Sequence, residues 1–145
     1  MKHYKIGYTQ GTYDLFHVGH LNLINNAKKQ CDYLIVGVNS DNLVWSYKNK
    51  IPNIKEKDRA KIVYAIRGVD KVIITETLDK VKILEKVKFD AIFIGDDWKG
   101  NKRWSDTEKE LAKYGVDVVY LPHTDGISTT IINEKIQGGS NNETE

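Results

Sequence analysis

A chain of 145 residues has the size of one domain, and 40% apolar with 29% charged residues suits a protein with one hydrophobic core. The net charge of +2, from 22 basic and 20 acidic residues, excludes a nucleic-acid coat and leaves any anion binding to local clusters. The single cysteine, Cys31, excludes an intramolecular disulfide, and no leader or run of roughly 18 apolar residues is present, so a cytoplasmic protein without a membrane partner is expected.

Short apolar runs alternate with segments of helical period. Residues 4–9 form the first expected strand. A helix follows over 19–30, with Leu21, Leu23, Ile24 and Ala27 on one face. The second strand, 33–39, is nearly continuous in apolar residues, as befits a strand covered on both faces. Residues 41–57 show no period and contain Pro52, so they read as a mobile functional loop. A helix over 55–67 carries Ala60, Ile62, Val63 and Ile66. Strands at 71–75, 91–94 and 116–121 alternate with helices at 78–86, 105–114 and 128–136, and Gly115 stops the helix before it. The order predicts a doubly wound, Rossmann-like α/β fold: a parallel five-stranded sheet with helices on both faces. Residues 1–137 form the expected domain, and 138–145 a polar tail outside the core. In such sheets ligands bind beyond the carboxyl ends of the strands.

Four groups follow strands. The first runs from Gly11 to His20, with His17 and His20 opening a helix. Helix-start N–H groups and imidazole donors together suit a phosphate, and Gly19 removes a side chain where phosphate would approach. A metal pair or a chance cap are the competing readings. The second group, Gly126-Ile127-Ser128-Thr129-Thr130, holds more hydroxyls than one helix cap needs, and its helix start could face the first one across a triphosphate. The third is cationic: Lys48 and Lys50 in the expected loop, then Arg59 and Arg67 eight residues apart on one helix. The fourth, Gly95-Asp96-Asp97-Trp98-Lys99-Gly100, reads as a shaped loop that could meet a ribose, a metal or a substrate hydroxyl.

With these groups in this order, the sequence resembles the cytidylyltransferase family over about residues 4–136, and within it the bacterial glycerol-3-phosphate enzymes of wall and capsule pathways. Gly11-Thr12-Tyr13-Asp14 with His17-Val18-Gly19-His20 matches the nucleotide signature. Arg59 and Arg67 match its helix, and the Asp-Asp-Trp and Gly-Ile-Ser-Thr-Thr groups match its later motifs. The resemblance implies transfer of CMP from CTP to a small phosphorylated alcohol, with release of pyrophosphate. It implies His17, His20 and Lys50 as catalytic groups, with Thr12, Tyr13, Arg67, Asp97, His123 and residues 126–130 also on the nucleotide. Asp14, Lys48, Arg59, Lys80 and Lys82 would meet the acceptor. Mg²⁺ carried on the nucleotide phosphates, no metal ligands from the chain, and a homodimer are implied as well. An ATP-using adenylyltransferase, or a nucleotide-binding module without turnover, are the alternatives on the same fold.

Three departures from the family pattern stand out. His123-Thr124-Asp125-Gly126 replaces Arg-Thr-Glu-Gly, Leu78 stands near a usual tryptophan, and Lys102-Arg103-Trp104-Ser105-Asp106 is an unexpected insertion. The last two bear on the acceptor.

Overall fold

The computed structural model describes residues 2–124 and 127–137, so the expected tail at 138–145 lies outside the described residues. Five parallel strands form one sheet in the order β3-β2-β1-β4-β5. They are β1 (Tyr4–Gly11), β2 (Cys31–Asn39), β3 (Lys71–Thr75), β4 (Ala91–Gly95) and β5 (Asp117–Leu121). Tyr8 of β1 sits between Ile35 of β2 and Ile92 of β4, which fixes the register at the centre. Alternate residues of β2 feed two cores. Leu34, Val36 and Val38 pack with Ile24, Ala27 and Val63 on one face. Ile35 packs with Ile83, Leu84, Trp104 and Leu111 on the other. Both faces are therefore dry at the centre of the sheet, which explains the continuous apolar runs.

Helices α1 (Val18–Lys28) and α3 (Glu56–Tyr64) lie on the first face, while α4 (Lys80–Lys86) and α5 (Lys102–Ala112) cover the second. A 3₁₀ turn spans Asp96–Trp98, and α6 (Thr129–Gln137) ends the described chain. The expected strands and these helices are present with small shifts at their ends. One expectation is corrected. Within the supposed loop 41–57, Asp41–Lys48 form a helix, α2, started by the Ser40 side chain accepting from Leu43 N at 3.0 Å and stopped at Asn49 with φ 55°. Only Leu43 and Val44 of α2 are buried, whereas Trp45 and Tyr47 face outward, so no apolar stripe betrayed it. Helix α5 likewise begins three residues before its expected start. Asn101 caps it by accepting from Arg103 N and Trp104 N.

The strand order reverses between β1 and β4. That crevice, at the carboxyl edge of the sheet, is where an open α/β sheet takes its ligand.

Candidate active site

A cavity of about 860 Å³ opens at that crevice. The segment after β1 supplies Thr12, Tyr13, Asp14, His17 and His20, and the one after β4 supplies Gly95, Asp97 and Trp98. Beyond β5 come His123, Thr124 and Ile127–Thr130, while α2 and the chain after it contribute Lys48 and Lys50. Four separately predicted groups thus meet in one place. Gly126, predicted with them, lies outside the described residues.

The histidine pair is held by its own helix start. His17 is the N-cap of α1, and its Nδ1 accepts from Gly19 N at 3.0 Å. His20 Nδ1 accepts from His17 N at 3.1 Å, completing a reciprocal capping box. A nitrogen that accepts carries no proton, so this network assigns the proton of each neutral ring to Nε2, the atom left to face a ligand. The rings stack at 3.8 Å between centroids, and the Tyr13 ring meets His20 edge-on at 5.3 Å. Tyr13 and Leu15, at φ 56° and 50°, give the segment its sharp course. Gly19 lines the cleft, and it also makes room for its neighbour: a Cβ there would lie 2.8 Å from His17 Cε1. The same position lies 3.6 Å from Ile127 Cγ2, so the residues leading into α6 lie against the start of α1.

Burial keeps both imidazoles neutral. It lowers His17 below the usual histidine range, and it pushes His20, with the His17 ring beside it and Asp14 opposing, from 6.5 down to about 4. The sign of the consequence is definite. The folded value is depressed, so the stability that neutral His20 contributes is present above about 6.5 and is lost as pH falls through about 4. His20→Asn keeps an acceptor for His17 N but does not titrate. Urea unfolding of both proteins between pH 7 and 4.5 is expected to shift the stability difference steadily against the wild type as pH falls. A difference that stays constant contradicts a neutral, buried His20.

The hydroxyl group at α6 divides its work. Ser128 Oγ accepts from Ile131 N at 3.1 Å as a cap, leaving its own proton free. Thr129 Oγ1 donates to Asp14 O at 2.5 Å and ties α6 to the segment after β1. Thr130 is exposed on the cavity wall. Opposite, His123 Nδ1 and Asp96 Oδ1 lie 2.5 Å apart, and this hydrogen bond is the main reason that the Asp96 carboxyl is held below its usual range. Asp96, Asp97 and His123 place one ligand atom each within 4.8 Å of one another. Asp96 is already engaged by His123, so the trio is a poor match to the all-oxygen octahedron that Mg²⁺ prefers.

Five predicted residues stand elsewhere or work otherwise. Arg59, expected at the acceptor, is fully buried. Its guanidinium donates to the carbonyls of Ile54, Thr12 and Asn39 at 2.7 Å and to Asp41 at 2.6 Å. It braces the cleft wall from behind. Asp14 lines the cleft, but its carboxylate accepts from Asn53 N, Asn53 Nδ2 and Ile54 N at 2.8–2.9 Å, so it clasps the chain that follows Lys50. Arg67 is exposed and lies in the turn that leads into the amino end of β3, at the edge of the sheet opposite the cleft, because α3 runs antiparallel to the strands. Lys80 is buried in a different cavity, and Lys82 is exposed on α4 outside both.

Sequence reading missed the residues that hold α2 in place. Asn39 Nδ2 donates to Thr12 Oγ1 and Tyr47 Oη at 3.2 Å, while Gln10 Nε2 donates to Asn39 Oδ1 at 2.8 Å. This polar layer caps the carboxyl ends of β1 and β2 and fixes Tyr47, the neighbour of Lys48. The only signal in the sequence was the polar residue at the end of each strand.

The pattern of the cytidylyltransferase-like family matches residues 8–135. The chain belongs to that family. Family membership makes it a nucleotidyltransferase, as the histidine signature predicted. It is 40% identical to a glycerol-3-phosphate cytidylyltransferase of Bacillus spizizenii, over 86% of this chain and 91% of that protein. It is also 35% identical to the bifunctional protein HldE of Helicobacter pylori, but that alignment spans 92% of this chain and 28% of the larger protein. Among solved structures, the lipopolysaccharide core biosynthesis protein from Thermoplasma volcanium superposes with a TM-score of 0.73 at 27% identity, covering 84% of this chain and 99% of that one. Pantoate-beta-alanine ligase from Francisella tularensis, at 16% identity and a TM-score of 0.69 over 95% of this chain and 69% of that one, shares the fold.

Proposed function

We propose that the chain transfers CMP from CTP to a small phosphorylated polyol of the glycerol phosphate type, giving a CDP-alcohol and pyrophosphate. One observation carries the reading: two imidazoles whose Nδ1 atoms are taken by backbone N–H groups, leaving Nε2–H to donate, line one cleft with the start of α6, Lys48 and Lys50. An oxygen of the acceptor phosphate attacks the α-phosphorus in line. The new P–O bond forms as the bond to pyrophosphate breaks, so no enzyme nucleophile is required.

His17 and His20, as neutral rings, donate Nε2–H to oxygens on which negative charge grows. Lys50, the Ser128 hydroxyl and the first-turn N–H groups of Thr129 and Thr130 hold the β and γ phosphates, since helix-start N–H groups lack internal partners. His123, positioned by Asp96, takes the place of the family arginine at the phosphates. Mg²⁺ would come with the nucleotide and supply charge neutralisation at its phosphates, with no ligand required from the chain. A cytoplasmic location, a homodimer and supply of activated alcohol to a surface polymer complete the proposal. No helix among the described residues is long and apolar enough to cross a membrane.

Pyrophosphate release measured with each of the four nucleoside triphosphates and a panel of phosphorylated alcohols tests the reading. Turnover is expected with CTP and a three- to five-carbon polyol phosphate. Preference for ATP would replace the reading with adenylyl transfer, and binding of CTP without turnover would replace it with a regulatory module.

A further inference from the structure

The polar layer at the carboxyl ends of β1 and β2 runs in one direction. Tyr8 Oη donates to Gln10 Oε1 at 2.7 Å, and a Cβ at position 37 would collide with that hydroxyl, so Gly37 makes room for the first member of the layer. Gln10 Nε2 donates to Thr77 O at 3.1 Å. A carbonyl can only accept, which settles which end of the Gln10 amide is nitrogen. Its second hydrogen goes to Asn39 Oδ1 at 2.8 Å, so Asn39 presents Nδ2 at its other end. Both hydrogens of that nitrogen are then taken, one by Thr12 Oγ1 and one by Tyr47 Oη, each at 3.2 Å. The two hydroxyls lie 3.4 Å apart and close a triangle at the cleft wall, since Thr12 lines the cleft.

Asn39 is 4% exposed, whereas Tyr47 is 42% exposed. The tyrosine is thus held by its hydroxyl tip while its ring stays at the surface. That ring carries a cation. Lys48 Nζ stands over it, 5.7 Å from the centroid, within reach of a cation–π attraction. The ion pairs among the described residues do not include Lys48, which itself lines the cleft. Lys48 is the last residue of α2, and Asn49 turns the chain away from it at φ 55°. A cation there also suits the negative end of the helix dipole, but that task needs no tyrosine beside it.

We propose that Tyr47 is a positioning residue for the transfer reaction: anchored by Asn39, it holds the Lys48 ammonium over its ring at the cleft, where the lysine meets the phosphoryl group of the acceptor. The substrate named here rests on the reading above; the hold on Lys48 does not. A lysine on a free four-carbon stem loses conformational freedom when it grips an anion. The anchored ring removes part of that cost before the substrate arrives.

Tyr47→Phe tests the proposal, because it removes the anchoring bond, keeps the ring and alters a position outside the core. In the full chain, the Lys48 ¹Hε–¹³Cε signal, assigned through Lys48→Met, is expected upfield of those of the exposed Lys82 and Lys109, since an aromatic face shields the protons above it. It should move toward theirs in Tyr47→Phe and join them in Tyr47→Leu. With CTP saturating and the best phosphorylated alcohol varied, Tyr47→Phe is expected to raise the acceptor KM by about threefold to tenfold, the effect of one hydrogen bond, with kcat and the CTP KM unchanged. In the Lys48→Met background the same substitution should raise it no further, since a positioning residue acts only through the group it positions.

A Lys48 signal that Tyr47→Phe leaves in place overturns the proposal. So does a KM effect that persists in full without Lys48, which would make Tyr47 a support for the wall or a substrate contact in its own right. If the wild type turns over no nucleotide while the Lys48 signal still follows Tyr47, the proposed reaction fails and the tyrosine's hold on Lys48 stands.

Discussion

Replacing His17 or His20 with asparagine is expected to lower kcat by about 10²–10³, the loss seen when one preorganised donor is removed from a developing oxyanion. The choice of asparagine follows from the geometry. Each imidazole performs two tasks with two different nitrogens. Nδ1 accepts a backbone N–H and starts α1, which leaves Nε2–H to donate to a ligand in the cleft that both rings line. Alanine would remove both and confuse lost catalysis with a lost cap, which alone costs about 1 kcal/mol. Asparagine places its carbonyl oxygen where Nδ1 was and has nothing where Nε2 was. The helix start should therefore survive, with thermal unfolding near that of the wild type, while turnover falls. Wild-type turnover in both variants would show that the pair only builds the helix. A rise in KM without a fall in kcat would instead assign the rings to ground-state binding.

The sheet was legible because the middle of β2 and the start of β4 are buried on both faces and so have no polar residue to interrupt them. Residues 34–36 and 91–93 have that character, and both segments are in the sheet. The cleft was legible because its chemistry is local: His17 and His20 lie within one helical turn, and Ser128, Thr129 and Thr130 are consecutive. What stayed hidden was tertiary. Helix α2 exposes Trp45 and Tyr47 and buries two residues, so its period could not be separated from a loop, although Ser40-Asp41 is a helix-start signal. Lys80 belongs by sequence to a charged, solvated helix. Trp104, more than twenty residues later, covers it. Arg67 was read on one helix with Arg59 and assigned to the nucleotide. The rest of α3 and the turn after it carry Arg67 to the far edge of the sheet.

Arg59→Met is expected to destabilise the protein by about 3–5 kcal/mol, the usual cost of removing one partner from a buried ionic network. Methionine keeps the aliphatic stem and the volume, so packing is largely preserved and the loss reports the guanidinium. Four bonds disappear together. Asp41 loses its ion pair, and the carbonyls of Thr12, Asn39 and Ile54 lose a donor that water cannot readily replace, since the arginine that covers them is fully buried. Lysine cannot rescue this, because one ammonium cannot reproduce a planar fork directed to four acceptors on three segments. In a domain of this size the loss should lower Tm by roughly 10 °C, at about 2–4 °C per kcal/mol. The same bonds join the ends of β1 and β2 to the start of α2 and to the chain after Lys50, which together form one wall of the cleft. The folded variant should therefore show a raised KM for CTP at a temperature where unfolding is negligible. A Tm within about 2 °C of the wild type would mean that the three segments hold together without the arginine. A direct role at the acceptor predicts the opposite pattern: an unchanged Tm with a raised acceptor KM.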